Sequence, residues 1–163
     1  MSPSDVARVS VGVALPPAVA FDIFTRDIDC WWQRGPRYRH GGSRSGLLHL
    51  EPRVGGRLFE SFGDTPDAQG FEIGLVSIWE PPHRLGFSWR NINYAPGEST
   101  EVLVEFAASS SGTLVTVTHR NLATLRVDHP ARHGLPPPEY VRLIGLWWGE
   151  QLSALRQHCA GGT

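Results

Sequence analysis

From Pro138 to Cys159 apolar residues return every three or four positions: Val141, Ile144, Trp148, Leu152, Leu155 and Cys159. At ~3.6 residues per turn they form one stripe, with Arg142, Glu150, Ser153 and Gln157 on the opposite face, which predicts a helix of about 33 Å. Prolines precede it, where a missing N–H costs nothing, and Gly161 and Gly162 follow as a stop. A helix this long with a single apolar stripe needs a broad apolar surface to lie on.

Upstream the period falls from 3.6 to 2. Val9, Val11 and Val13 alternate with Arg8 and Ser10 in a first strand, Val6 to Leu15. Pro16-Pro17 ends it and opens a short helix, Ala18 to Arg26, expected to bury Val19, Ile23 and Phe24 or its neighbour Ala20. A second short segment, DIDCWWQRG, sets Trp31 beside Trp32; adjacent residues of a regular element face different ways, so at most one is expected in the core. Leu47 to Glu51 and Arg57 to Phe62 read as a hairpin turning at Gly55-Gly56. Phe71 to Trp79, then Leu85, Phe87 and Trp89, then Val102, Val104 and Phe106, then Thr113 to His119 continue the alternation. Polar or Gly/Pro-rich loops separate them, ending in a long one from Arg120 to Pro137. Closely spaced strands of this kind make an antiparallel meander. The expectation is α+β: a curved antiparallel sheet of six or seven strands wrapped around the long C-terminal helix, with two short helices after strand one, in one domain over residues 1–163. A bent sheet closed by one helix is too concave for its own side chains to fill, so a cavity is expected between them.

Composition narrows the chemistry. All fifteen basic residues are arginine, which removes Schiff-base catalysis and the phosphate-loop and kinase lysines together. The net charge of −1 with scattered arginines leaves no footprint for nucleic acid. The longest apolar runs fall far short of the ~18 residues of a membrane span, and the N-terminus lacks a signal pattern, so a soluble cytoplasmic protein is expected. Cys30 and Cys159 form no C-x-x-C pair and are expected as buried free thiols. His129 and His133 are four apart, but they lie among Pro130, Gly134 and three further prolines with no third ligand, so no metal site is expected. Neither G-x-S-x-G nor G-x-G-x-x-G occurs. The six tryptophans suit a core, and equally a pocket for a flat ligand.

Two polar residues fall on apolar strand faces. Glu60 shares parity with Leu58 and Phe62, so it enters the concavity if they do; a carboxyl there can orient a ligand or move a proton. In the other reading Phe59 faces inward, and Glu60 sits in water or pairs with Arg57 or Arg90. His119 shares a face with Val115 and Val117, as a hydrogen-bonded structural residue or as a ligand group. Phe62, Phe87 and Trp89 read equally as core or pocket wall. Tyr140 and Trp147 lie off the main stripe of the last helix, toward the cavity mouth. Gly145 and Gly149 each cost that helix roughly 1 kcal/mol against alanine, which points to close packing or to space kept for a guest.

Several short motifs, in order, resemble one family. They are Pro16-Pro17-x-x-x-Phe21, Trp31-Trp32, Glu51-Pro52-x-x-Gly55-Gly56-Arg57, Gly74-x-Val76 and Glu80-Pro81-Pro82-x-Arg84-Leu85 with Trp89. Gly112-Thr113-x-Val115 with His119, and Trp148-Gly149 before Leu152 and Leu155, complete the set. Nearly the whole chain is similar to the START-like (SRPBCC) helix-grip superfamily, in the branch of activator of heat-shock-protein ATPase homologues. The resemblance implies a deep hydrophobic cavity for a small apolar or aromatic molecule; no cofactor is expected. The expected binding set is Trp32, Glu60, Phe62, Phe87, Trp89, Val104, His119, Tyr140, Trp147 and Trp148, in a monomer or homodimer acting as carrier, sensor or sequestration protein. Two alternatives stay open: an enzyme or self-resistance protein acting on a polyketide-like or reactive natural product, with Glu60 and His119 as its polar groups, and a chaperone-interacting module. The namesake carries an additional chaperone-binding domain, which is not expected in a chain of this length.

Overall fold

The computed structural model describes residues 5–35, 38–39, 46–62, 70–90, 98–122 and 134–161. Its strands are β1 (Ala7–Val13), β2 (Leu47–Leu50), β3 (Arg57–Ser61), β4 (Phe71–Glu80), β5 (Arg84–Trp89), β6 (Thr100–Ser109) and β7 (Gly112–Arg120). Helices α1 (Pro17–Arg26) and α2 (Ile28–Trp31) follow β1, and α3 (Pro137–Cys159) closes the chain. All strand pairs are antiparallel in one sheet of order β1-β7-β6-β5-β4-β3-β2, so the first strand closes on the last and β2 forms the other edge. This is the α+β helix-grip arrangement that the periodicity predicts.

Register aligns the apolar residues in rows across the concave face. Val9 pairs with Val117, Val117 with Val104, Val104 with Leu85 and Leu85 with Trp79. The next row runs Ala7, His119, Val102, Phe87 and Val76. Cross-strand partners share a face, so these rows form one continuous floor, apolar but for His119. Helix α3 lays Trp148, Leu152 and Leu155 on it, all buried. The helix ends where the stop signal stands: Gly161 adopts φ +77°, and its N–H bonds the His158 carbonyl while that of Ala160 bonds Arg156.

Three details depart from the sequence expectation. In α1 the buried residues are Ala20, Phe21, Phe24 and Thr25, whereas Val19 is 42% exposed. The inward face follows the 20, 21, 24 spacing, which leaves Val19 about 150° from its centre. Both Trp31 and Trp32 are buried. Helix α2 lasts one turn and Trp32 already has extended backbone angles (φ −64°, ψ 127°), so the two indoles do not obey the geometry of a single regular element. Cys30, expected to be buried, is exposed because α2 turns Ile28 and Trp31 inward; Cys159 is half-buried, and both thiols are free.

Candidate functional site

Aromatic rings form one continuous network in the trough between the sheet and α3. On one side α1 inserts a plug: Phe21 meets Trp79 at 5.2 Å and Phe106 at 5.1 Å, and Phe24 meets Trp31 at 4.8 Å. Trp31 in turn meets Trp32 at 5.4 Å, where three indoles converge. Trp32 stacks on Trp89 at 5.9 Å with 27° between planes, and meets the ring of Trp148 edge-on at 5.6 Å. Trp89 and Trp148 close the triangle at 6.2 Å and 61°. Offset and edge-to-face contacts at these spacings are the favoured geometries for aromatic rings. Trp89, Phe62 and Phe71 are only half-buried, and Trp89 and Phe71 pack against the core.

A buried hydrogen-bonded chain fixes one side of the triangle. The Trp148 indole N–H donates to Nδ1 of His119 at 3.0 Å, and His119 Nε2 lies 2.6 Å from Thr100 Oγ1. Indole is only a donor, so Nδ1 is the acceptor and the neutral ring carries its proton on Nε2, which donates to Thr100. The Thr100 hydroxyl in turn donates to the Trp89 carbonyl at 3.4 Å. Burial lowers the His119 pKa to about 3, so the ring stays neutral near pH 7. With both nitrogens occupied, His119 orients the tryptophans and is not offered to a ligand.

Glu60 enters the trough from the sheet. Its register partners are Leu48 on β2 and Phe71 on β4, and it is fully buried two positions from the core residue Leu58. Phe59 takes the outer face, stacked on His49 at 4.8 Å under the Arg57 guanidinium, 4.4 Å from the ring centroid. Arg57 binds Glu51 (Nε to Oε1, 3.0 Å), which holds the Glu51 carboxyl at about 2. A Cβ on Gly46 would stand 2.5 Å from Glu60 Oε1 and 2.7 Å from the Phe62 ring, so only glycine leaves room for that carboxyl.

The other expected residues scatter. Phe87 and Val104 lie in the apolar rows of the floor. Trp147 is half-buried, about 100° around α3 from Trp148. Tyr140 is apart from the triangle, buried in a separate small cluster with Ala7 and Leu122. Gly149 has nothing within 4 Å of a built Cβ and Gly145 only Val9 at 4.0 Å, so close packing does not account for them. They line an outer groove of about 580 Å³ with Gln33, Leu146, Glu150 and Ser153. His129 and His133 lie outside the described residues, among which no group of three or more His, Cys, Asp or Glu could hold a metal.

Periodicity gave no signal for two further features. Arg39 is 5% exposed and reaches Asp29 Oδ1 (2.7 Å) and the carbonyls of Trp32 (2.8 Å) and Gln33 (3.1 Å). Asp29 also accepts the Leu48 N–H at 2.8 Å, so this pair ties the Trp32 turn to β2. Burial raises the Asp29 pKa, but hydrogen bonds from Arg39 and Leu48 and the charges of Arg39 and Arg34 outweigh it, leaving the carboxyl below its ordinary range. Gln151 is the second: buried on the inner side of α3, with Oε1 accepting the Gln33 N–H at 2.9 Å.

Residues 14–138 match the profile of the family described as Activator of Hsp90 ATPase homolog 1-like protein. The chain belongs to that family. The match takes in α1, α2 and β2 to β7 and stops at the start of α3. Among solved structures, the fold is similar to protein NE0264 from Nitrosomonas europaea (TM-score 0.65, 17% identity, covering 99% of this chain and 97% of that one). It is also similar to the Aha1 dimer from Colwellia psychrerythraea (TM-score 0.62, 14% identity, covering 93% of each chain). A third similar structure is DynU16, described as a putative protein in the dynemicin biosynthetic locus (TM-score 0.63, 21% identity, 94% of this chain and 46% of that one). A search of curated protein sequences found no match. No helix of the described residues is long and apolar enough to cross a membrane.

Proposed function

We propose that this Activator of Hsp90 ATPase homolog 1-like protein binds a flat, hydrophobic small molecule at the indole triangle of its trough, as a cytoplasmic carrier or sensor. The observation that carries this reading is the convergence of Trp32, Trp89 and Trp148 beside the α1 plug, with Phe62, Phe71 and Trp89 only half-buried and Glu60 fully buried. Concave, ring-lined surfaces with few polar groups are typical of small-molecule sites. Glu60 supplies a polar group, and the Trp148–His119–Thr100 chain holds one wall in place. The similarity to a protein of a biosynthetic locus fits a small-molecule role.

A second reading, chemistry on the bound molecule, rests on Glu60 alone, because His119 is engaged at both nitrogens. Native mass spectrometry of protein purified from its own host tests both readings. The binding reading predicts the chain plus one apolar molecule, released unchanged on denaturation. Release of a converted molecule supports chemistry instead, and only the bare chain, or the chain with a chaperone, overturns both.

A further inference from the structure

The inner side of α3 is apolar with one exception. Trp148, Leu152 and Leu155 are buried there, and Gln151 among them is 3% exposed. Its Oε1 accepts the backbone N–H of Gln33, which fixes which end of the amide is which. Nε2 is then the remaining end, and among the described residues it has no hydrogen-bond partner although it is buried. Burying an amide donor unmet costs roughly 1–3 kcal/mol, so such a group in a native fold asks for an explanation. Gln33 follows Trp32 in the chain, and Gln151 is one turn along α3 from Trp148. Those two indoles touch edge-on, so both ends of the Gln33–Gln151 bond lie on the segments that carry this wall.

We infer that Gln151 is a second polar recognition residue of the site, in addition to Glu60, its Nε2 donating a hydrogen bond to a carbonyl oxygen on a flat aromatic ligand. The inference rests on the binding reading above and sharpens it. Indole faces accept any flat ring, whereas a buried donor discriminates between a ring system that brings an acceptor and one that leaves the N–H unmet.

The test compares two probes of the same tricyclic shape, 9-fluorenone and fluorene, by equilibrium dialysis against the wild type and Gln151→Met. Fluorene is the more hydrophobic, so without a donor it binds at least as tightly. With the donor, the wild type prefers fluorenone, and Gln151→Met shifts the ratio of the two Kd values by about fivefold toward fluorene. A general loosening of the fold would weaken both probes alike and leave that ratio unchanged. An equal or reversed preference in the wild type overturns the role of Gln151 while leaving the binding reading intact, and decides the matter even if Gln151→Met fails to fold. If neither probe binds, the binding reading falls, and this inference with it.

Discussion

The indole N–H of Trp148 on the last helix donates to Nδ1 of His119 on β7, 29 residues earlier in the chain, at 3.0 Å. That bond joins the helix to the sheet at the indole triangle, and it requires a neutral imidazole, which burial supplies by lowering the His119 pKa to about 3. In the unfolded chain the same ring titrates near 6.5. On acidification the unfolded state takes up a proton that the folded state refuses. The stabilisation is therefore complete above pH 6.5 and is lost as the pH falls toward 3, at up to about 1.4 kcal/mol per unit. Asp29 and Glu51, whose pKa values are also lowered, start from 3.8 and 4.5 and so act below pH 5.5. Urea unfolding at pH 7.5 and pH 5.5 should differ by about 1.4 kcal/mol from this group, and His119→Gln should remove that difference. An identical pH dependence in the variant would contradict the assignment.

Thr100 is the next link, accepting from His119 and donating to the Trp89 carbonyl. Thr100→Val keeps the shape and leaves the His119 N–H buried without its acceptor. The expected loss is about 1–3 kcal/mol by denaturant unfolding. The Trp148 indole proton should move in the NMR spectrum as its partner reorients. A neutral substitution would mean that the chain is not fixed by this hydroxyl.

Gly46→Ala tests the packing around Glu60. The added methyl would meet the carboxyl and the Phe62 ring at 2.5 and 2.7 Å, in a place where Glu60 is fully buried and has no solvent to retreat into. Overpacking of this kind costs about 1–3 kcal/mol. In a Glu60→Ala background the same substitution should cost measurably less, because the nearest obstructing atoms are gone. Equal costs in both backgrounds would show that the carboxyl does not occupy the space Gly46 leaves.

Periodicity alone located every strand and the last helix to within a few residues, because one-sided burial on a sheet or helix writes a period of 2 or 3.6 into the chain. It placed Trp148, Leu152 and Leu155 inward and set Glu60 in phase with Leu58. It failed where an element is too short to have a period. Helix α2 is one turn, so the burial of both Trp31 and Trp32 depends on the change of backbone angles between them. The Arg39–Asp29 tie and the Gln33–Gln151 bond join residues 10 and 118 positions apart through side chains, and no pattern in sequence marks such pairs. Tyr140 reads from the helical wheel as lying toward the cavity mouth; it is buried instead in a cluster of its own with Ala7 and Leu122.

The indole protons offer the most direct test of the binding claim, since Trp32, Trp89 and Trp148 form the triangle while Trp79 packs against Phe21. Titrating ¹⁵N-labelled protein with 9-fluorenone should shift the indole signals of Trp32, Trp89 and Trp148 together, with one common Kd, while that of Trp79, at the α1 plug, stays in place. No movement of the three, or movement of Trp79 without them, would contradict a binding site at the indole triangle.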